Sequence, residues 1–185
     1  MEKMSYVKRI TVCAVCIALC YVLPVALHPF GLGQILSPMH LPVLLCGLVC
    51  GGFYGAVCGL FGPILSSILS GMPPASALVS MIPELVAYGL AAGLAMKWIY
   101  TKKFFADVYI SLAVAMVLGR VVGGIAKALF YTGGEAFTLS VWVTSYFVAT
   151  IPAIVVQLIL IPILAFTLTK ARVIPARYCK GAIHG

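Results

Sequence analysis

The sequence predicts an all-α integral membrane protein: a six-helix transmembrane bundle with both termini cytoplasmic. Three observations carry that prediction. Of the 185 residues, 63% are hydrophobic and 9% charged, against roughly 45–50% and about 25% in soluble domains. The mean hydropathy of +1.16 leaves too few polar side chains to cover a soluble surface or to keep a chain disordered. The apolar residues fall into runs of spanning length, about 20 residues, and the basic residues gather in alternate connections. At this length no room remains for a nucleotide-binding or separate catalytic domain. Residues 1–185 read as one transmembrane domain, with a short N-terminus at 1–9 and a basic tail at 170–185.

Helix 1 is expected over Ile10–Leu27, after Lys3, Lys8 and Arg9. No small-x-small cleavage site leads into a polar mature domain, so it reads as a retained helix and not a signal peptide. His28 to His40 carries two prolines and two glycines and makes a poor helix. Helix 2, about Leu41–Cys50, is too short to span alone. It could begin earlier, tilt or be broken. Gly51-Gly52 supplies a tight turn into helix 3, about Phe53–Ser70. Gly71-Met72-Pro73-Pro74-Ala75 is the next break, before helix 4 at about Ser76–Met96. Lys97 to Asp107 is the only charged internal loop. Helix 5 covers about Val108–Phe130. After a break at 131–135, helix 6 is expected over Leu139–Thr169, with Pro152 and Pro162 inside it. A span that long must tilt, kink or project from the bilayer.

Six spans put both termini on one side. That side receives Lys3, Lys8, Arg9, Lys97, Lys102, Lys103, Lys170, Arg172, Arg177 and Lys180, while the opposite loops receive no Lys or Arg. The positive-inside rule makes that side cytoplasmic. It also accounts for most of the net charge of +8 without an acidic partner, and no nucleic acid is implied.

Charges inside a membrane are costly and tend to be functional. Three are expected there: Glu84 in helix 4, and Arg120 and Lys127 in helix 5. At about 1.5 Å per residue, Glu84 and Arg120 both lie roughly 12–15 Å from the outer ends of their helices, so a Glu84–Arg120 pair is possible. Lys127 is seven residues beyond Arg120, on nearly the same face and closer to the mouth. The arrangement suggests an outward-opening cavity. Its two cations favour an anionic group, and the planar guanidinium matches a carboxylate. The competing reading is a structural ion pair with Lys127 snorkelling to the interface. Tyr88 follows Glu84 by four residues, on the same face. Trp142 and Tyr146 share a face of helix 6, where an interfacial belt is the alternative. Gln157 lies deeper. Gln34 and His40, in and at the end of the first loop, are candidates to close over a ligand; His28 and His184 are weaker ones.

Six of the seven cysteines lie inside apolar runs. Cys13-x-x-Cys16 lacks the companions of a zinc site and reads as small packing residues; no metal site is expected. Gly51, Gly55, Gly59 and Gly62 in helix 3, and Ala14-x-x-x-Ala18 in helix 1, are small-residue stripes that admit a close helix, internal or from a partner. The chain has no P-loop, G-x-G-x-x-G, H-E-x-x-H or G-x-S-x-G motif, and no paired carboxylates. No catalytic residue and no enzyme activity are expected.

These features together resemble the substrate-binding S component of energy-coupling factor (ECF) transporters. The matching residues are Ala14-x-x-x-Ala18, the run Met39-His40-Leu41-Pro42-Val43-Leu44-Leu45-Cys46-Gly47 leading to Gly51, Gly55, Gly59 and Pro63, then Gly71-Met72-Pro73-Pro74, Pro83-Glu84 and Gly119-Arg120. The resemblance implies a multi-pass protein of a prokaryotic plasma membrane that binds a vitamin or similar micronutrient from outside. The pocket would lie in the outer parts of helices 4–6, capped by the first and third-to-fourth helix loops. It implies docking, through Ala14 and Ala18, on a membrane coupling subunit that carries two cytosolic ATPases. ATP is then used by those partners, with no cofactor in this chain. Glu84, Tyr88, Arg120, Lys127, Trp142 and Tyr146 become pocket candidates, and the two cations lean towards a carboxylate-bearing compound. The alternative is a self-sufficient small secondary carrier or channel.

Overall fold

The computed structural model describes residues 4–31, 37–130, 144 and 150–171. Its helices are α1 (Tyr6–Leu27), α2 (His40–Cys50), α3 (Gly52–Ser70), α4 (Ala75–Trp98), α5 (Phe104–Phe130) and α6 (Ile151–Lys170), with a 3₁₀ turn at His28–Phe30 after α1. All of them except α2 are long and apolar enough to cross a membrane. Trp142, Tyr146, Gln34, Cys179 and His184 lie outside the described residues.

Two expectations about the helices change, and an open one is resolved. The first helix begins at Tyr6, not Ile10, so Lys8 and Arg9 sit in its first turns. Long basic side chains can reach the interface from there, and charge did not end the helix. The described α6 begins at Ile151, with Thr150 preceding it and Pro152 in its first turn. A proline there gives up no intrahelical hydrogen bond, so Pro152 belongs to the helix start and not to its interior. The short second helix neither extends before His40 nor spans. At 11 residues it is about 16 Å long, half a bilayer core.

The half-length helix is buried on nearly every side, from Pro42 to Cys50. It lies against α1, α3 and α4. Gly51, at φ +100°, turns the chain directly from α2 into α3, a conformation that side chains with a Cβ rarely adopt. The two helices then close on α4 backbone to backbone. A Cβ on Gly55 would stand 2.6 Å from the Gly89 carbonyl oxygen, and one on Gly59 2.5 Å from that of Leu85. Gly62 faces Cys20 of α1. The helix-3 glycine stripe is therefore spent on internal packing.

Cysteines line the seam between α1, α2 and α3. Cys13, Cys16 and Cys20 form the buried face of α1. Cys13 Sγ donates to the Tyr54 carbonyl at 3.5 Å and Cys20 Sγ to the Met39 carbonyl at 3.8 Å. The opposite face of α1 carries Ala14 and Ala18, both exposed.

At one end of the bundle lie the ends of α1, α3 and α5 and the starts of α4 and α6. At the other end lie the α2–α3 and α4–α5 turns, the start of α1 and the end of α6. Lys8, Arg9, Lys97, Lys102, Lys103 and Lys170 all sit at this second end.

Candidate functional site: a polar cavity at the end without basic loops

Glu84 lies nine residues into α4 and Arg120 ten residues before the end of α5, so both are about 13–15 Å below the same end. Because α2 is half-length, its first residue, His40, starts at that depth as well. The three side chains face one cavity of about 740 Å³, within the usual range for small-molecule sites.

Glu84 is 9% exposed. Its Oε1 lies 3.5 Å from His40 Nε2. The His40 ring meets Tyr88 edge to face, with centroids 5.1 Å apart and planes at 72°. Two glycines of α5 make room for this group. A Cβ on Gly119 would come 2.6 Å from the Tyr88 ring, and one on Gly123 2.8 Å from the Glu84 carboxyl. The carboxylate is thus seated between α2 and α5 by a histidine on one side and bare backbone on the other. His40 Nδ1 is buried and has no hydrogen-bond partner among the described residues.

Arg120 is 5% exposed, and its Nη2 donates to Thr150 Oγ1 at 3.2 Å. The possible Glu84–Arg120 ion pair is not formed. The depth argument placed both groups at one level, but α2 brings His40 onto the carboxylate, while Thr150 at the head of α6 receives the guanidinium. Lys127, two turns beyond Arg120, lines the same cavity. Gln157, 3% exposed, lines it from α6, two turns after Thr150.

The rim comes from the connections. Met72, Pro73 and Pro74 lie at the cavity edge with Gly31, Ser37 and Met39. The serines at the end of α3 fasten that edge: Ser66 Oγ donates to the Met72 carbonyl and Ser67 Oγ to that of Pro73, both at 2.8 Å. His28 and Pro24 complete the α1 side.

Of the residues singled out in the sequence, Glu84, Tyr88, Arg120, Lys127 and His40 are brought together. Gln34, Trp142 and Tyr146 fall outside the described residues. Ala14 and Ala18 face away from the bundle. Thr150 and Ser80 were not anticipated as wall residues. The spacing of seven between Thr150 and Gln157 was the available sign for Thr150, since it puts both on one helical face.

The arrangement can hold a small molecule by two different ends. Arg120 with Thr150, and Lys127 nearer the mouth, suit an anion, because a desolvated guanidinium fork binds a carboxylate with charge-assisted bonds. Glu84 and Gln157 offer acceptors to N–H or O–H groups. The cavity also contains Met81, Pro38 and Ala77, which suit an apolar portion.

A family model described as "ECF transporter, substrate-specific component" matches residues 8–173. No curated protein and no solved structure matches the chain.

Proposed function

Since the chain belongs to the family of ECF transporter substrate-specific components, a family of transporter subunits and not of enzymes, we propose that it captures a carboxylate-bearing micronutrient from outside the cell in the α2/α4/α5/α6 cavity. Delivery inward then depends on an ECF module: a membrane coupling subunit docked on the Ala14/Ala18 face, and two cytosolic ATPases that use the ATP. No cofactor resides in this chain. In this reading it sits in a prokaryotic plasma membrane, with the cavity end outward and the basic end cytoplasmic.

The observation that carries the proposal is the buried Arg120 on the wall of a cavity of ligand size. A guanidinium at that depth tends to be functional, and a ligand carboxylate would make charge-assisted hydrogen bonds with it. Lys127 adds a second charge near the entrance. Glu84, held by His40, would orient the other end of the molecule. Met39 and His40 begin α2 beside Glu84, and the positive end of a helix dipole favours that carboxylate.

Thermal unfolding of the detergent-purified protein across a panel of vitamins and nucleobase-like micronutrients tests the proposal. A compound that binds only the native state stabilises it by about 2.7 kcal/mol at a hundredfold excess over its dissociation constant. A hit among the carboxylate-bearing members is expected. Stabilisation only by compounds without an anionic group contradicts the ligand class.

A further inference from the structure

The loop between α4 and α5, at the end opposite the cavity, combines three features that the transport reading does not use. Its lysines have no carboxylate partner among the described residues. Lys97, Lys102 and Lys103 are exposed, as is Lys170 at the end of α6. Among the described residues the one side-chain ion pair is His40–Glu84, far from this end. The only described carboxylate near these lysines is Asp107, which is fully buried.

That carboxylate fixes the loop's shape. Asp107 Oδ1 accepts the Thr101 backbone N–H at 2.8 Å and the Thr101 hydroxyl at 2.6 Å. Asp107 N–H in turn donates to the Lys103 carbonyl at 3.0 Å. Between these anchors Lys102 is held at φ +64°, a left-handed conformation uncommon for a residue with a side chain. A buried carboxyl group thus helps to present two neighbouring lysines in one geometry.

Beside them stand Trp98 and Tyr100, 79% and 57% exposed, at the point where a membrane-length helix ends. Exposed Trp and Tyr at a span end sit at headgroup depth. Cations there meet the phosphates of the adjoining leaflet.

We infer that the Lys97–Lys103 loop is a preshaped binding surface for an anionic phospholipid headgroup, with Lys102 and Lys103 on the phosphate and Trp98 and Tyr100 at the glycerol level. Membrane depth and the flanking aromatics favour a lipid over an acidic protein.

Native mass spectrometry of the full-length protein in detergent, titrated with phosphatidylglycerol or phosphatidylcholine, tests this. Phosphatidylglycerol should bind more tightly. The Lys102→Gln/Lys103→Gln variant should lose about fivefold in that affinity per lysine, roughly 25-fold together, with phosphatidylcholine binding unchanged. Thr101→Val keeps every charge but removes a clamp hydrogen bond, and should lower the preference part of the way. Lys8→Gln/Arg9→Gln, at the same end but off the loop, should cost less than the loop pair. Equal affinity for the two lipids overturns the inference. So does a preference that survives the loop double variant, including the case where that variant blocks only assembly with a protein partner.

Discussion

Arg120 and Glu84 lie at one depth in one cavity, yet each has its own neutral or titratable companion: Thr150 for the guanidinium, His40 for the carboxylate. The two glycines of α5 separate structural from functional cost. Gly119→Ala drives a Cβ into the buried Tyr88 ring and should destabilise by about 1–3 kcal/mol, the usual cost of overpacking. Gly123→Ala meets the end of a flexible carboxylate instead. It should cost less in thermal stability but push Glu84 off His40, weakening ligand stabilisation in the same melting assay. Equal losses of stability, with ligand stabilisation intact in Gly123→Ala, would show that the seat of Glu84 does not matter.

At the scale of elements, α2 explains why His40 enters the site. A full-length second helix would begin at the bundle end; one of 11 residues begins in the middle. The sequence showed that this helix was short, because Gly51-Gly52 closes it and two prolines and two glycines precede it. What shortness would do was not legible, since the depth of His40 depends on how α2 packs between α1 and α4. Periodicity and breaks placed α1, α3, α4 and α5 to within four residues at each end, while the expected first part of helix 6, from Leu139, lies outside the described residues apart from Thr144. Two helix starts were misread: Lys8 and Arg9 lie inside the first turns of α1, and Pro152 lies in the first turn of α6. The glycines of helix 3 were visible as a close-packing stripe, but only the contacts with Gly89 and Leu85 assign that stripe to α4. With those glycines used internally, the exposed small-residue face of α1 remains for a partner. Tryptophan at Ala14 and Ala18 should block uptake in cells that supply an ECF module, yet leave ligand stabilisation of the purified protein unchanged. Loss of ligand stabilisation with assembly intact would remove α1 from the docking role.

For the whole molecule, one end carries the polar cavity and the other the described basic residues outside it, Lys8, Arg9, Lys97, Lys102, Lys103 and Lys170. The positive-inside rule predicts from this that the basic end is cytoplasmic. A green fluorescent protein fused after Gly185 should fluoresce, because it folds on the cytoplasmic side, and alkaline phosphatase at the same point should stay inactive. The reverse result would turn the cavity inward and defeat capture from outside. The family and the general place of the cavity were legible because they rest on order and spacing along the chain. The partners of Glu84 and Arg120 were not, because they depend on three helices meeting at one depth.

The most direct test of the central claim compares matched acid and neutral forms of one compound, nicotinate with nicotinamide and pantothenate with panthenol, as stabilisers of the wild-type protein and of Arg120→Ala. The account predicts that, in at least one pair, the acid stabilises the wild type well above its neutral partner, and that this difference disappears in a folded Arg120→Ala protein. A stabilising pair whose members act equally on the wild type, or an acid preference that survives in Arg120→Ala, would contradict it.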